Sequence, residues 1–387
     1  MKSPKIRFKG FDGDWEQRKL GDVAQEFKSG NSLKADEIDI TGDYPVYGGN
    51  GLRGYTSTYN HDGEYALIGR QGALCGNMNY SAGKAYFTEH AVVVKADENN
   101  DTRFLYYMLD TMNLGQYSDQ SAQPGLAVNK LVKLENSFPK KEEQQQIGAY
   151  FRSLDHLITL HQKKFEQLTI LKKYMLQKMF PQNGSDKPEI RFDGFTDDWE
   201  QRKFGETVII ERGGSPRPID AFITDDENGL NWVKIGDAPE QGNYITKTAE
   251  KIRPEGLKKT REVHPGDLIL SNSMSFGRPY IMAIDGCIHD GWLLIRDEEK
   301  RYDLKFLCQM LGTEQMLAQY RAMAAGSTVN NLNKELVGNT EVKVPSIAEQ
   351  AKIGEYFSKV DDLITLHQQK CDELRNAKKF MLQNMFI

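Results

Sequence analysis

Cysteine is scarce in this sequence, and the spacing of the few cysteines excludes two kinds of stabilisation. The 387 residues include four cysteines, Cys75, Cys287, Cys308 and Cys371, which lie far apart and form no C-x-x-C pair. Such spacing argues against a zinc site and against a disulfide framework. We therefore expect free, mostly buried thiols and no bound metal.

Long apolar runs are also missing. No run approaches the roughly 18 apolar residues of a membrane-spanning helix, and the N-terminal stretch MKSPKIRFKG is polar. We therefore expect a cytoplasmic protein. The net charge of −5 disfavours a stand-alone nucleic-acid binder. Contact with phosphates would have to come from local basic clusters or from the basic surface of a partner.

Catalytic motifs are absent as well. The chain has neither a G-x-x-x-x-G-K-[ST] phosphate loop nor the Asn-Pro-Pro-[Phe/Tyr] motif of amino-methyltransferases. Glu341 and Lys343 form the E-x-K half of a nuclease site, but such a triplet is common by chance. We therefore expect no catalytic residue and no cofactor in this chain.

The chain does contain a long helical pattern, and it contains this pattern twice. Residues 142–180 and 348–386 both include LITLHQ and both close on Met-Leu-Gln-x-Met-Phe. Apolar residues recur at the alternating spacing of four and three that is typical of a coiled-coil seam. His161 and His367 also fall on this seam, where a packing or register role is expected rather than a ligand role. The other predicted seam positions are Ile147, Phe151, Leu154, Ile158, Phe165 and Leu168 in the first copy and Ile353, Phe357, Val360, Ile364 and Leu374 in the second.

A second repeat defines two tandem halves. Residues 6–22 recur as residues 190–206 with 12 of 17 positions identical, and the offset of 184 residues is smaller than the 206 residues between the helical copies. The polar segment 181–188, which contains Pro and Gly, is typical of a linker. The predicted segments are a first domain at 1–137, a central helix at 138–182, a second domain at 183–343 and a C-terminal helix at 344–387.

Each domain is predicted to be α+β. Residues 65–68 and 91–94 read as buried strands in the first domain, and residues 267–270 and 292–295 do so in the second. A short amphipathic helix follows in each, with Asp101 and Asp303 as the expected N-caps.

The order of domains and helices along the chain also predicts whether the two long helices pack parallel or antiparallel. A parallel pair would require the chain to travel back along a helix of about 58 Å, whereas an antiparallel pair requires no return. We predict an intramolecular antiparallel coiled coil with one domain near each end, related by a pseudo-two-fold axis.

Polar, glycine-rich loops follow the strands in both domains. Arg can bind guanine through two hydrogen bonds, Asn and Gln can do the same with adenine, and Gly allows close approach of the backbone. The alternative is that these loops are ordinary surface turns, which use the same residue types. The candidate DNA-binding residues are Asn50, Arg53, Arg70, Gln71, Gln123, Asn129 and Lys130 in the first domain, and Arg212, Arg217, Asn272, Ser273, Arg278, Thr328, Asn330, Asn331 and Lys334 in the second.

Four repeated features together resemble one protein family. They are D-W-E-Q-R-K-[LF]-G-[DE] at 14–22 and 198–206, Pro-x-x-x-E-Q at 139–144 and 345–350, the LITLHQ helices, and the glycine-rich stretch 44–49 followed by 65–69. With these features in this order and at this spacing, the chain resembles the specificity (HsdS) subunits of type I restriction-modification systems over essentially its whole length.

The resemblance implies a function and a set of partners. Each domain would be a target recognition domain that reads one half of a split double-stranded DNA sequence, while the helices space the domains and dock two methyltransferase subunits. Two restriction subunits would complete the complex, and S-adenosylmethionine, ATP and Mg would be bound by the partner subunits. Individual base contacts cannot be transferred by motif, because recognition domains differ between relatives.

We therefore expect a non-catalytic DNA-specificity subunit with an asymmetric, bipartite target. Half-sites on one side of a duplex lie about 34 to 36 Å apart per helical turn, and a seam that continues from Ile147 to Met179, about 48 Å, is long enough for that separation. Two rival hypotheses are a coiled-coil scaffold that binds only protein and a self-contained nuclease that uses Glu341 and Lys343.

Overall fold

The computed structural model describes residues 3–118, 125–182, 184–272, 276–324 and 331–387, which form two compact units. Unit 1 comprises Met1–Leu160 and Lys370–Ile387, and unit 2 comprises His161–Gln369. Each unit therefore contains a globular domain, the beginning of one long helix and the end of the other. The boundaries of the units lie within the helices, whereas the sequence segments follow the boundaries of the repeats.

Unit 1 is built on a six-stranded sheet with strand order β2-β7-β5-β6-β3-β4, next to a two-stranded pair, β1 with β8. Turns of 3-10 helix span Leu20–Val23, Ala35–Glu37 and Leu114–Tyr117. The strands are β1 (Glu16–Lys19), β2 (Ala24–Ser29), β3 (Tyr44–Gly48), β4 (Gly51–Thr56), β5 (His61–Gly69), β6 (Met78–Phe87), β7 (Ala91–Ala96) and β8 (Glu135–Phe138), and the short helices are α1 (Thr102–Thr111) and α2 (Val128–Leu131).

The central strands of this sheet are buried on both faces. Ile68 and Val94 pack with α1 in the main core, whereas Leu67 and Val93 lie in a separate cluster with Phe87 on the opposite face. Alternate residues of a strand point to opposite faces, so a strand covered on both sides is apolar throughout. This explains why 65–68 and 91–94 read as continuous apolar runs.

Unit 2 contains two five-stranded sheets, ordered β10-β19-β16-β17-β13 and β11-β14-β12-β18-β15, and the pair β9 with β20. Turns of 3-10 helix span Phe204–Glu206, Ile219–Ala221, Ile235–Asp237 and Pro254–Lys259. Its strands are β9 (Glu200–Lys203), β10 (Ile209–Arg212), β11 (Ile223–Thr224), β12 (Leu230–Val233), β13 (Tyr244–Ile245), β14 (Glu250–Ile252), β15 (Arg261–Val263), β16 (Leu268–Ser271), β17 (Pro279–Met282), β18 (Gly286–Ile288), β19 (Trp292–Arg296) and β20 (Glu341–Val344), with helices α4 (Leu304–Leu311), α5 (Glu314–Ala324) and α6 (Lys334–Gly338).

The predicted N-caps are confirmed in both units. The Asp101 carboxylate accepts a hydrogen bond from Phe104 N at 2.8 Å, and the Asp303 carboxylate accepts one from Phe306 N at 2.9 Å. Both satisfy a backbone donor that the first turn of a helix leaves unpaired.

The two long helices, α3 (Lys141–Lys178) and α7 (Ile347–Met385), pack antiparallel as predicted. In unit 1, Phe386 lies against Phe151 with ring centroids 5.8 Å apart, and Lys378 Nζ lies 2.6 Å from Asp155 Oδ1. Residue numbers therefore fall along α7 as they rise along α3, which defines opposite directions.

Unit 2 contains the equivalent packing of the other helix ends. Phe180 lies against Phe357 with centroids 6.1 Å apart, and Lys172 Nζ lies 2.6 Å from Asp361 Oδ1. The seam positions are buried or half-buried, as the spacing predicts: Ile147, Phe151, Leu154, Ile353, Phe357, Val360 and Ile364 are buried, and Ile158, Phe165, Leu168 and Leu374 are half-buried.

In each unit, an arginine of the repeated segment (6–22 or 190–206) binds a glutamate in the first turn of a long helix. Arg7 forms a two-bonded ion pair with Glu143, in which Nε and Nη2 each lie 2.7 Å from a carboxylate oxygen. Arg191 and Glu349 repeat this geometry in unit 2, again at 2.7 Å for both bonds. The Glu of each Pro-x-x-x-E-Q motif is therefore a buried structural anchor.

The cysteines are unpaired and mostly buried, as predicted. All four are free; Cys75 is half-buried and the other three are buried. Among the described residues, no helix is both long enough and apolar enough to cross a membrane.

Candidate nucleic-acid interface

In unit 1, the ends of several strands bring predicted DNA-binding residues together. Arg70, directly after β5, donates its backbone N–H to His90 O at 2.9 Å, directly before β7. Its carbonyl accepts a hydrogen bond from Leu126 N at 2.9 Å, and Gln71 forms a β-bridge with Gly125. Three segments that are distant in sequence therefore meet at this edge of the sheet.

The β3–β4 turn joins the same cluster through two glycines. A Cβ atom at Gly49 would lie 2.9 Å from His90 O, and one at Gly48 would lie 2.6 Å from Arg53 Cδ. At Gly49 the neighbour is backbone, so a larger residue would force it to move, whereas at Gly48 the flexible Arg53 side chain could shift. The glycine pair therefore lies beside both Arg53 and Arg70.

The predicted residues of unit 1 differ in exposure. Arg70 is half-buried, and its Nη1 donates to Glu89 O at 3.4 Å. Gln71 is exposed, with Oε1 3.3 Å from His90 Nδ1. Asn50, Arg53, Asn129 and Lys130 are exposed, and Gln123 lies outside the described residues.

Unit 2 repeats the backbone frame with different side chains. Asn272, directly after β16, donates its backbone N–H to Gly291 O at 2.9 Å, and its carbonyl accepts from Leu332 N at 3.0 Å. Asn272 therefore occupies the position that Arg70 occupies in unit 1.

Asn272 has a structural contact in this frame. Its side chain is buried at 2% exposure, and Nδ2 donates to Asp290 O at 2.8 Å. The amide therefore holds the loop together and offers almost no surface to a ligand in this conformation.

The arginines of unit 2 lie around this loop and differ in exposure and in their contacts. Arg212 Nε donates to Asp290 O at 3.3 Å, and Arg217 Nη2 lies 3.9 Å from Asp290 Oδ2 with a highly exposed side chain. Arg278 is half-buried, donates to Glu240 O at 2.7 Å and lies over the Tyr280 ring. Asn331 and Lys334 are exposed, whereas Ser273, Thr328 and Asn330 lie outside the described residues.

Two arginines and a lysine lie near one histidine of this cluster. Burial is the main cause that lowers the pKa of His289, and the Asp290 carboxylate opposes the shift. Arg217, Lys234 and Arg212 add to the lowering by repulsion. Arg212 and Arg217 therefore place positive charge in this loop cluster, next to the Asp290 carboxylate.

Sequence reasoning missed several members of these clusters. Glu89 and His90 precede β7, and His289 and Asp290 precede β19. Ser215 also contributes, because its Oγ donates to Asp290 Oδ1 at 2.9 Å. The available signal was their position immediately before two predicted buried strands.

The surroundings of Glu341 and Lys343 do not favour a nuclease site. Lys343 Nζ lies 2.8 Å from Asp186 Oδ1, so its charge is already paired. No group of three or more potential metal-ligating side chains occurs in the part of the chain that the structure describes.

Comparisons with known proteins show the family to which the chain is similar. The sequence model of the family described as "Type I restriction modification DNA specificity domain" matches residues 12–169 and 196–376. The EcoprrI specificity subunit of Escherichia coli is 42% identical over 156 residues, which cover 39% of each protein. The MjaVIII specificity subunit of Methanocaldococcus jannaschii is 23% identical over 396 residues, covering 95% of this chain and 90% of the relative.

Solved structures share the fold. The type I restriction-modification S subunit of M. genitalium aligns with a TM-score of 0.74 at 16% identity, over 100% of this chain and 99% of that one. A chain from a study of type I complex assembly and conformational transition aligns with a TM-score of 0.52 at 17% identity, over 95% and 96%. Both alignments show a shared fold.

Proposed function

The chain belongs to the type I restriction-modification DNA specificity family, and we propose that each of its two units reads one half of a split DNA target. It is the specificity subunit of a type I system. The observation that carries the proposal is the repeated loop frame, in which Arg70 and Asn272 have the same backbone hydrogen bonds but different side chains. Equivalent frames with different side chains should read different sequences, so the target should be bipartite and asymmetric.

The proposed readers are exposed or half-buried basic and amide side chains around each frame. Arg53, Arg70 and Gln71 serve in unit 1, and Arg212 and Arg217 serve in unit 2, because Arg and Gln can each form paired hydrogen bonds with base edges. Phosphate contacts would come from the same basic clusters and from partner subunits.

We propose that the chain itself is non-catalytic and works in the cytoplasm with two methyltransferase and two restriction subunits. S-adenosylmethionine, ATP and Mg would be bound by those partners. Two identical partner copies fit a repeated feature of the long helices. Leu157 and Leu160 are 38% and 46% exposed, and their counterparts Leu363 and Leu366 are 44% and 46% exposed. Exposed leucines repeated at the same positions are suited to binding two copies of one partner.

The helices are also proposed to set the spacer between the half-sites. α3 has 38 residues and α7 has 39, so each is roughly 57 Å long. Inserting one turn at matched positions of both helices should change the spacer and leave the half-sites unchanged. An unaltered spacer would contradict the role of the helices in setting the spacer and would leave the recognition role of the domains intact.

A binding experiment separates sequence reading from a purely protein-binding scaffold. The chain in complex with its methyltransferase subunits is titrated with a target duplex and with a scrambled duplex in a gel-shift assay. A DNA-specificity subunit should bind the target at least about a thousandfold more tightly. Equal affinity for both duplexes would favour the scaffold.

A further inference from the structure

Each unit places one carboxylate at the same point of its loop cluster. Glu89 and Asp290 each lie two residues before a strand, β7 in unit 1 and β19 in unit 2. The carbonyl of Glu89 accepts from Arg70 Nη1 at 3.4 Å, and the carbonyl of Asp290 accepts from Asn272 Nδ2 at 2.8 Å. The two acids are therefore structural equivalents, although the sequences around them differ.

The two carboxylates are also alike in exposure and in neighbours. Their side chains are 38% and 35% exposed. Glu89 Oε1 lies 3.6 Å from His90 Nε2, and Asp290 Oδ1 lies 2.9 Å from His289 Nε2. Arginines also flank both acids, Arg70 at Glu89 and Arg212 and Arg217 at Asp290. In loops proposed to contact DNA, a negative charge repels phosphates. An acid placed there twice calls for a role other than affinity for the backbone.

One oxygen of each carboxylate has an unfilled acceptor site. Glu89 Oε2 is buried without a hydrogen-bond partner among the described residues. At Asp290, Ser215 Oγ and His289 bind Oδ1, whereas Oδ2 has the Arg217 guanidinium at 3.9 Å, which is beyond hydrogen-bond distance. A ligand would therefore meet Glu89 at Oε1, where His90 Nε2 at 3.6 Å is beyond hydrogen-bond distance, and Asp290 at Oδ2.

We propose that Glu89 and Asp290 are specificity-determining residues, one in each unit, that accept a hydrogen bond from the amino group of a cytosine in their half-site. Carboxylates accept from cytosine N4 in the major groove. On non-target DNA the same charge gains no donor and repels the phosphates, so it lowers non-specific affinity. Attraction to the correct base and repulsion from other sequences together increase discrimination. This inference rests on the proposed function of the two units.

The test uses the chain in complex with its methyltransferase subunits, with Glu89→Gln and Asp290→Asn as neutral replacements of similar shape. Affinities are measured for the target, for the target with each cytosine of one half-site replaced in turn, and for a scrambled duplex. For each variant we expect roughly threefold tighter binding to the scrambled duplex, which is the effect of one surface charge about 7 Å from a phosphate. We expect target binding to weaken about tenfold and the preference for cytosine to be lost at one position.

The effect should be confined to one half-site. Glu89→Gln should relax only the half-site read by unit 1, and Asp290→Asn only the half-site read by unit 2. Two control acids lie away from the clusters. Glu64 is on β5, roughly 16 Å along the strand from Gly69, and pairs with Arg103 of α1. Asp285 is exposed and pairs with His264. Glu64→Gln and Asp285→Asn should leave both half-sites unchanged.

The possible results separate this inference from the proposed function. Wild-type discrimination with unchanged cytosine preference in both variants would overturn the role of the carboxylates and leave the proposed function intact. Equal relaxation of both half-sites by either variant would also overturn it. No discrimination by the wild-type complex would contradict the proposed function itself. As a control for folding, each variant should unfold at the same temperature as the wild-type protein.

Discussion

The Nδ1 atoms of His161 and His367 lie 2.8 Å apart on the helical seam. The two residues are equivalent positions of the helical repeat, 206 residues apart. Each therefore contacts its own counterpart, which is the relationship expected on a two-fold axis. At this distance one Nδ1 must donate and the other must accept, so the two rings cannot both carry a proton on Nδ1.

This pair predicts a pH dependence of stability. Burial is the main cause that lowers the pKa of His367, and repulsion from His161 and Lys164 adds to it. A base with a lowered folded-state pKa contributes stability above its unfolded pKa of about 6.5 and loses it as the pH falls. The thermal unfolding temperature should therefore drop between pH 7.5 and 5.5. His367→Gln should flatten this part of the curve, and an unchanged pH profile in the variant would contradict the assignment.

The anchor between Arg191 and Glu349 predicts a large loss of stability. Glu349 is 1% exposed, so Arg191→Ala would leave a buried carboxylate without its counter-charge. Such a loss costs about 3 to 5 kcal/mol in the free energy of unfolding. The exposed pair Arg202–Glu200 provides the control, because Arg202→Ala should cost no more than about 1 kcal/mol. Chemical unfolding of both variants tests this, and similar losses would show that Glu349 is not effectively buried.

The loop assignment predicts effects restricted to one half-site. Arg70→Ala should relax the half-site of unit 1, and Arg217→Ala should relax that of unit 2. Each should cost about 1 to 3 kcal/mol in target binding if the arginine reads a base. A phosphate contact would instead weaken all sequences alike and reduce the salt dependence of binding. Unchanged methylation in cells carrying either variant would show that these loops do not read the target.

Much of the fold could be predicted because its signals are local or repeated. The seam from Ile147 to Leu168 follows the helical period, and Asp101 and Asp303 precede their helices as N-caps usually do. The antiparallel direction followed from the order of domains and helices along the chain. These features depend on neighbouring residues or on two matched copies, both of which are visible in a sequence.

The loop clusters are harder to predict from the sequence, because contacts between residues far apart in the chain define them. The loop pattern predicts an exposed reader at Asn272, but its amide is buried against Asp290 O, eighteen residues further along the chain. Glu89 and Asp290 gave no motif, because their equivalence depends on backbone hydrogen bonds to Arg70 and Asn272. The Glu of each Pro-x-x-x-E-Q motif was recognised as a repeated signature, but its partners, Arg7 and Arg191, were identified only by the structure.

The most direct test of the account exchanges one recognition domain and reads the methylated target in cells. Residues 183–343 are replaced by the matching segment of a relative with a different known target, with α3 and α7 retained. Methylome sequencing should show one half-site replaced by that of the relative and the other half-site unchanged. Alteration of both half-sites, or of neither in a folded and assembled complex, would contradict the claim that each unit reads its own half.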